Sequence, residues 1–377
     1  MELFKNLVCK LIQAVLLLAA IFPLKKNKIV FFPYNGKYYC NLKYITNCLL
    51  REKLDFEIVW VSLDSEIDNT RIIKCRKNSV EFFYHVLSAK ILIYNSGFVN
   101  YIPKRQGQIF IETWHGGGAY KKIAKVFAET KNKYLRNRII NSVNRNDYII
   151  SSCSAFEKAF KSDTLALNPK YCNFGMPRND IFFDIRKINR VKDKIFNKYH
   201  LKDKKIVMYA PTFRDGGFIN TIHFDSLLKA LENRFSSEFV LFLRCHPHLS
   251  KDIFENYSND NIIDVSDVTD MQELLCATDI LITDYSSCMW DFSLTYKPCF
   301  IYANDIDCYK QERDFHTPIT DWPFPVATNN EELIVNILNF ENEEYIKRIK
   351  KHHKALGSYE DGHASKRVYK LIKKVCT

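Results

Sequence analysis

The sequence lacks the glycine-rich motifs that mark the commonest nucleotide-binding and hydrolase families. Only 11 of its 377 residues are glycine, and 11 are proline. No Gly-x-Gly-x-x-Gly, Gly-x-x-x-x-Gly-Lys-Ser/Thr or Gly-x-Ser-x-Gly segment occurs. These absences argue against dinucleotide-dependent dehydrogenases, P-loop nucleotidases and α/β hydrolases. With 47% hydrophobic residues, the chain also differs from collagens and from low-complexity disordered proteins.

The cysteine pattern matches neither a disulfide scaffold nor a zinc site, although the chain has 12 cysteines. None is arranged as Cys-x-x-Cys, and no histidine–cysteine spacing is typical of zinc. Cys153, Cys276, Cys288 and Cys299 fall in apolar segments. The pattern therefore favours reduced, buried thiols over a secreted, disulfide-bonded domain.

Long runs of one charge are also missing, although the chain is basic overall. It has 55 Lys and Arg against 43 Asp and Glu, for a net charge of +12. A positive balance favours anionic partners such as a phosphate-rich substrate or a membrane surface. Because the basic residues are dispersed rather than clustered in one patch, we do not expect a nucleic-acid partner.

One uncharged, mostly apolar segment lies near the N-terminus, at residues 11–24. Lys5 and Lys10 precede it and three lysines follow it. About 14 residues are too few to cross a bilayer but suit a helix lying in the membrane interface. A signal peptide is disfavoured because no clean cleavage site follows. We expect residues 1–27 to form a membrane-associated helix on the cytoplasmic face of the membrane, and a buried core helix is the alternative.

From residue 28 onward, short runs rich in Ile, Val, Phe and Tyr alternate with amphipathic stretches, which predicts an α/β fold with parallel sheets. A charged stretch at 187–205 separates a lobe at 28–185 from a lobe at 200–355. We expect two doubly wound, Rossmann-like lobes around a cleft, with the C-terminal helix in 356–377 crossing back to the first lobe. The predicted strands are 29–33, 56–62, 91–94, 109–112, 148–151, 206–210, 240–244, 262–265, 280–283 and 299–302. Predicted helices include 80–89, 122–143, 188–199, 224–233, 271–276, 288–295 and 363–375.

The segment Thr-Trp-His-Gly-Gly-Gly at 113–118 directly follows a predicted strand. Three glycines allow a sharp turn or a close approach of the backbone to a ligand. His115 lies where the strand ends, and a histidine there can act as a general base near neutral pH. The alternative is a turn that contains a structural histidine.

Two further strand ends carry cationic groups. Thr212 and Arg214 follow the strand at 206–210, and the arginine offers planar, bidentate donors to phosphate oxygens. Arg244 and His246 follow the strand at 240–244 and predict a cationic rim. The alternative for Arg214 is a surface ion pair with the neighbouring Asp215.

A fourth strand end has the sequence Thr-Asp-Tyr-Ser-Ser at 283–287 and precedes a predicted helix. Ser286 or Ser287 is a suitable N-cap, and the N–H groups that begin a helix favour an anion. Capping and phosphate binding are compatible. Together, the four strand ends predict a site for a phosphorylated ligand, and a nucleoside diphosphate suits a two-lobed protein.

In combination, these motifs resemble those of the CDP-glycerol glycerophosphotransferase family, which contains the primases and polymerases of teichoic acid synthesis. The segments that carry the resemblance are 114–116, 209–214, 244–247 and 283–287, with further matches at 32–44, 175–180 and 361–365. The resemblance covers residues 28 to 370. It implies a GT-B-like fold and transfer of glycerol phosphate from CDP-glycerol to a hydroxyl, with release of CMP.

The resemblance also implies roles for individual residues. His115 is the expected catalytic base, and His246 is the second catalytic histidine or a phosphate contact. The first lobe is expected to bind a lipid-linked or polymeric acceptor, and the second lobe CDP-glycerol. The product would be a cell-surface polymer such as teichoic acid, capsule or lipopolysaccharide. The expected substrate-binding residues are Trp114, Gly116, Thr212, Arg214, Arg244, Asp284, Ser286 and Ser287.

We expect no cofactor and no obligatory metal. Asp264, Asp267 and Asp270 are spaced at three residues, and we interpret them as solvated residues near a helix start. Three alternatives stay open: a CDP-ribitol donor, a nucleotide-sugar donor used by a GT-B glycosyltransferase, and a non-catalytic protein that binds anionic surfaces. The last alternative leaves His115 and the strand-end motifs unexplained.

Overall fold

The computed structural model describes residues 2–19, 21–52, 55–97, 100–122, 133–212, 221–244, 261–312 and 314–376. The chain forms two compact units. Unit 1 comprises Met1–Gly116, Ile123–Asp180 and Tyr359–Thr377, and unit 2 comprises Gly117–Lys122 and Ile181–Ser358.

Unit 1 contains a parallel sheet of seven described strands in the order β3-β2-β1-β4-β5-β6-β7. Order reverses between β1 and β4, as in doubly wound sheets. The strands are β1 (Lys25–Phe32), β2 (Glu57–Val61), β3 (Ile72–Cys75), β4 (Ala89–Tyr94), β5 (Ile109–Glu112), β6 (Tyr148–Ser151) and β7 (Lys170–Asn173). The helices before and between them are α1 (Glu2–Ala19), α2 (Cys40–Arg51), α3 (Val80–Ser88), α4 (Lys133–Asn144) and α5 (Ser154–Thr164).

The central strand β1 is apolar over its last four residues, 29–32, because both faces of the sheet are covered. Ile29 and Phe31 point to one face, where they pack in a cluster with residues of α2. Val30 and Phe32 point to the other face and join a cluster that contains residues of α3. Alternation of side chains along a strand explains this division. It also explains why β1 shows an unbroken apolar run instead of an alternating pattern.

Unit 2 contains a second parallel sheet, with the described strands in the order β10-β9-β8-β11-β12-β13. The strands are β8 (Lys205–Ala210), β9 (Phe239–Leu243), β10 (Ile262–Asp264), β11 (Ile280–Thr283), β12 (Cys299–Tyr302) and β13 (Val326–Ala327). Its helices are α6 (Ile185–Lys198), α7 (Phe224–Phe235), α8 (Met271–Ala277), α9 (Cys288–Ser293), α10 (Ile306–Glu312), α11 (Asn330–Leu338) and α12 (Asn342–Leu356). Short 3₁₀ segments lie at Tyr34–Gly36, Pro177–Phe183 and Ile319–Asp321.

The last helix, α13 (Ala364–Cys376), belongs to unit 1. Its first turn is capped by Asp180, whose carboxylate accepts from the backbone N–H groups of Ala364 and Ser365 at 2.8 Å each. Val368 and Ile372 are fully buried in the unit 1 core. Capping of this kind satisfies backbone donors that have no partner within the helix.

The ten strands predicted from the sequence are confirmed with bounds that differ by a few residues. Three strands were not predicted: β3, β7 and β13. All three lie at sheet edges, where short, half-exposed strands lack the apolar run that identifies central ones. The predicted helix at 122–143 is confirmed over α4, and its residues 123–132 lie outside the described residues.

Two expectations from composition can be compared with the structure. None of the 11 described cysteines forms a disulfide, and most of them are buried, as the sequence predicted. Within the described part of the chain, no helix is both long and apolar enough to cross a bilayer. The helix α1 nevertheless exposes several large apolar side chains, which are Leu7, Leu11, Val15, Leu17 and Leu18.

Candidate active site

His115 lies in a tight turn directly after β5, which we call the histidine turn (residues 113–116). Trp114 adopts a φ of 53° there, in the left-handed region that non-glycine residues seldom occupy. The side chain of His115 is exposed, and its Nδ1 lies 2.9 Å from the carbonyl oxygen of Asn95. A carbonyl can only accept a hydrogen bond. In the neutral imidazole, Nδ1 therefore carries the proton and Nε2 carries the lone pair.

The indole of Trp114 supports the ring of His115 from one side. The two ring centroids are 4.6 Å apart, and the same indole meets Phe160 of α5 edge to face at 5.1 Å. Trp114 was predicted as a substrate-binding residue. These contacts give it a packing role beside the histidine, and its contact with substrate stays a prediction.

A buried carboxyl group joins the histidine turn to the loop after β4. Glu112 is 2% exposed. Its two oxygens accept from the backbone N–H of Trp114 at 3.0 Å and from that of Gly97 at 2.9 Å. Burial raises the pKa of Glu112 to about 8, and the two backbone hydrogen bonds oppose that shift. Glu112 thus links Trp114, the neighbour of His115 in the histidine turn, to Gly97, which lies in the same loop as Asn95.

All three carbonyl groups at 113–115 are held by buried side chains. The amide nitrogen of Asn41 on α2 donates to Thr113 at 3.2 Å and to Trp114 at 3.0 Å. Arg178 donates from its guanidinium to the carbonyl of His115 at 2.6 Å. The backbone N–H of Arg178 in turn donates to the Asn41 side chain at 3.1 Å. The histidine turn is thus fixed by elements that lie far apart in the sequence.

The sequence predicted no role for Asn41, Glu112 or Arg178. Asn41 and Arg178 fall within the segments 32–44 and 175–180 that resemble the family. The sequence therefore pointed to these regions but did not show what the two residues do. The structure supplies the mechanism, since both side chains hold the histidine turn. Glu112 gave no signal, because a glutamate at a strand end is ordinary until its burial is known.

From the sequence, the glycine run suggested a sharp turn or a close approach of the backbone to a ligand. The structure instead explains Gly117 and Gly118 by packing. Both belong to unit 2. A side chain on Gly117 would overlap the indole of Trp290. Gly118 has a φ of +70°, and a Cβ there would lie 2.5 Å from the ring of Tyr120. These two glycines are therefore needed for packing against aromatic rings, while Gly116 is half-buried at the end of the histidine turn.

In unit 2, the structure brings Thr212 and Asp284 together at the ends of the adjacent strands β8 and β11. The carboxylate of Asp284 accepts from the backbone N–H of Thr212 at 2.9 Å and from its hydroxyl. Asp284 is 3% exposed. These bonds hold the start of the segment after β8, so Asp284 has a supporting role there, and its contact with substrate stays a prediction.

Three more of the predicted residues, Arg244, Ser286 and Ser287, follow strands of the unit 2 sheet. Arg244 follows β9, the neighbour of β8, and its guanidinium donates to the carbonyl of Ser266. Ser287 occupies the N-cap position of α9 but forms no side-chain capping bond. Ser286 makes the local contact instead, since its hydroxyl accepts from Cys288 N–H at 3.4 Å. Arg214 and His246 lie outside the described residues.

The acidic residues noted in the sequence are engaged separately. Asp264 accepts from the backbone of Ser266 at 2.8 Å, and Asp267 pairs with Lys198 at 2.7 Å. Asp270 caps α8. Among the residues that the structure describes, no group of three or more His, Cys, Asp or Glu side chains could hold a metal ion.

Two Rossmann-like units with polar residues at their strand ends define the class of protein, a GT-B-like α/β transferase. The family model described as CDP-Glycerol:Poly(glycerophosphate) glycerophosphotransferase matches residues 14–374. The chain belongs to this family, which confirms the fold class and the family predicted from its motifs.

Curated relatives and a solved structure agree with this assignment. The chain is 30% identical to the teichoic acid poly(glycerol phosphate) polymerase of Bacillus spizizenii, over 97% of this chain and 96% of that protein. It is also 30% identical to the teichoic acid ribitol-phosphate primase of the same organism, over 78% of this chain and 77% of that one. The wall teichoic acid polymerase TagF, in a crystal soaked with CDPG, aligns with a TM-score of 0.82 and 28% identity, over 99% of this chain and 96% of that one.

Proposed function

We propose that the chain transfers glycerol phosphate from CDP-glycerol to a hydroxyl of a teichoic acid acceptor and releases CMP. Family membership over residues 14–374 supports the donor and the type of reaction. The observation that carries the mechanism is the bond between His115 Nδ1 and the Asn95 carbonyl. It leaves the lone pair on Nε2, as a general base requires.

The reaction balances without any further reactant. The acceptor hydroxyl oxygen attacks the phosphorus that bears glycerol, and its proton passes to Nε2 of His115. The new phosphorus–oxygen bond forms as the bond from that phosphorus to the CMP oxygen breaks. CMP leaves as a phosphate, which needs little protonation. The site mainly has to orient the reactants and stabilise the charge on the phosphoryl oxygens.

The donor is assigned to unit 2 and the acceptor to unit 1. Thr212 and Arg244 follow the neighbouring strands β8 and β9, and the carboxyl ends of parallel strands are where such folds bind ligands. Arginine supplies the bidentate donors that phosphate oxygens favour. We assign the remaining donor contacts to Arg214, His246, Asp284, Ser286 and Ser287, as the family motifs imply.

We propose a peripheral location on the cytoplasmic face of the cell membrane and a lipid-linked acceptor or polyol-phosphate polymer. The exposed apolar side chains of α1, Leu11 and Leu18 among them, would enter the membrane interface. Lysines on both sides of this apolar stretch suit an anionic surface. The absence of disulfides among the described cysteines is consistent with a reducing compartment.

CDP-ribitol is the second donor candidate. The similarity to a ribitol-phosphate primase, as strong in identity as that to the glycerol phosphate polymerase, favours keeping it in the test. The two donors differ only in the polyol, so they would use the same base and the same leaving group. Competition between the two donors in one assay distinguishes them.

The test is CMP release by the full chain with CDP-glycerol and a panel of lipid-linked or polyol-phosphate primers. His115→Asn keeps a side-chain N–H that can reach the Asn95 carbonyl but removes the base. We expect it to lower CMP release by roughly 10²–10⁴-fold. His200→Asn is the matched control, because His200 is exposed and has a φ of 52°, which asparagine tolerates.

Each alternative gives a distinct outcome in this assay. Wild-type turnover by His115→Asn would contradict the base assignment. CMP release from CDP-ribitol alone would replace the donor, and release of a nucleotide from a nucleotide sugar alone would replace the reaction. Loss of turnover in EDTA, restored by Mg²⁺, would show that a metal ion is required.

A further inference from the structure

A cavity of about 580 Å³ lies in unit 1 beside the N-terminal helix. It is lined by side chains of α1, of the segment that precedes β5, and of α4 and the residue after it. Its volume falls within the range of roughly 300–1,000 Å³ found for small-molecule sites. It is separate from the histidine turn, since none of residues 113–116 is among its lining residues.

The lining of this cavity is cationic. Lys10, Lys104 and Arg145 contribute side chains, and no aspartate or glutamate is among the described residues that line it. Lys104 is compensated by Asp147, whose carboxylate lies 2.7 Å from its Nζ. Lys10 and Arg145 form no ion pair with any described residue. The described residues that line the cavity therefore carry a net positive charge.

Of the two cations that form no ion pair, Arg145 gives the stronger argument for an anionic ligand. Its guanidinium donates to the carbonyl of Ile102 and lies 5.4 Å from the ring centroid of Phe110. Burial lowers the pKa of Arg145, which means that its charge is poorly solvated. A poorly solvated guanidinium is stabilised by an anion that brings its own hydrogen-bond acceptors.

The other polar groups of the cavity are neutral and can donate hydrogen bonds. Asn100, Asn137 and Asn141 supply amides, and Ser142 supplies a hydroxyl. Gln13 donates to the carbonyl of Asn100 and so ties α1 to the body of unit 1. Several neutral donors beside uncompensated cations suit a phosphate group, which offers several acceptor oxygens.

The source of the phosphate is indicated by Leu17. This side chain lines the cavity and is also 48% exposed. Other exposed apolar side chains of α1, including Val15 and Leu18, lie within one turn of it. A ligand in the cavity would therefore have apolar surface beside its polar end, which matches the chemistry of a lipid and not that of a free ion.

We propose that this cavity binds the phosphate-bearing head group of an anionic membrane lipid. The lipid chains stay on the apolar side of α1, and the head group meets Lys10 and Arg145. The proposal rests on the membrane association proposed above and goes beyond the transferase reaction. It predicts that the protein selects anionic lipids at a defined site, instead of adhering to the membrane through dispersed charge.

The first experiment measures flotation of the full chain with vesicles of phosphatidylcholine alone and with vesicles that also contain phosphatidylglycerol. We expect the wild type to prefer the anionic vesicles. Lys10→Gln should weaken binding to them by about fivefold, the effect of one cation close to an anionic surface. Lys202→Gln is the matched control for charge, since Lys202 is exposed in unit 2 and does not line the cavity. It should have a smaller effect.

A second variant separates the cavity from diffuse electrostatics. Asn141→Phe fills the cavity without any change of charge, and Asn168→Phe makes the same change at an exposed residue outside it. We expect Asn141→Phe to lose the preference for phosphatidylglycerol but to keep binding to phosphatidylcholine vesicles. Asn168→Phe should behave like the wild type. A wild-type preference in Asn141→Phe, or no preference in the wild type, would overturn the proposal.

Two further measurements complete the test. Inorganic phosphate at constant ionic strength should not abolish the lipid preference, and complete loss would overturn a lipid head group as the ligand. CMP release with a water-soluble acceptor, without vesicles, should be unchanged in Lys10→Gln and Asn141→Phe. Failure of the wild type to release CMP would count against the proposed transferase and leave the vesicle result intact, so the two proposals fail independently.

Discussion

The histidine turn of unit 1 and the strand ends of unit 2 are built differently, although both follow parallel strands. In the histidine turn, Asn41 and Arg178 reach three consecutive carbonyls from remote parts of the chain, and Glu112 holds two backbone N–H groups. In unit 2, Thr212 and Asp284 bond to each other across adjacent strands. The difference suits the proposed roles. A base must keep one orientation, and that demands support from several directions.

The largest expected effect concerns the buried carboxyl group behind the histidine turn. Glu112 has its pKa raised to about 8 by burial, so its neutral form is favoured in the folded protein. The stability that this group contributes is fully present below its unfolded pKa and is lost as the pH rises through about 8. The side chain of Glu112→Gln cannot ionise, so this variant does not lose that stability. Its free energy of unfolding should therefore rise relative to that of the wild type by up to roughly 4 kcal/mol between about pH 5 and about pH 9.

Urea unfolding at several pH values measures this difference. At the acid end, Glu112→Gln should be less stable than the wild type by about 1–3 kcal/mol, because glutamine offers one carbonyl oxygen to two backbone donors. Glu81→Gln, at an exposed position on α3, is the control. Parallel stability curves for Glu112→Gln and the wild type would show that Glu112 is already ionised near neutral pH.

The next effect concerns catalysis and tests whether the support of the histidine turn matters to the base. Arg178→Lys retains the charge but loses the planar guanidinium that reaches the carbonyl of His115. A shift of the turn by about 1 Å should lower kcat by about 100-fold. The KM for CDP-glycerol should change little, since the donor is assigned to unit 2.

Arg51→Lys, at an exposed position at the end of α2, is the matched control and should have wild-type kinetics. Circular dichroism and the amount of bound donor at saturation report whether Arg178→Lys is folded. An unchanged kcat in a folded Arg178→Lys protein would contradict a positioning role. A large rise in the KM for CDP-glycerol would place the residue on the donor side.

A smaller effect separates packing from ligand binding at the glycine run. Gly117→Ala should lower the free energy of unfolding by about 1–3 kcal/mol, because its methyl group overlaps the indole of Trp290. In a Trp290→Leu background the same change should cost less, and a double-mutant cycle in urea measures the coupling. If the losses of unfolding free energy in the two single variants add up in the double variant, Gly117 is not constrained by Trp290. A change in the KM for CDP-glycerol without loss of stability would restore the ligand interpretation.

Periodicity and strand-end motifs predicted the central strands, the edge strand β10, the fold class and the location of His115. They could not predict the edge strands β3, β7 and β13, because short and half-exposed strands carry little apolar signal. The supports of the histidine turn were equally hidden. Asn41 and Arg178 are separated by more than a hundred residues, and a sequence pattern has no means of pairing them. The glycine run was noticed, but sequence alone could not distinguish a ligand from Trp290 as its neighbour.

The smallest effect tests the unit 2 side of the comparison. Thr212→Val removes the hydroxyl that donates to Asp284 but keeps the backbone N–H bond. The free energy of unfolding should fall by about 1 kcal/mol, and the KM for CDP-glycerol should rise several-fold if the threonine also contacts the donor. Thr212→Ser restores the hydroxyl and should recover both. A loss of stability with an unchanged KM would show that Thr212, like Asp284, supports the strand end without contacting the donor. Donor recognition would then depend on other groups at that edge, of which Arg244 follows the strand next to β8.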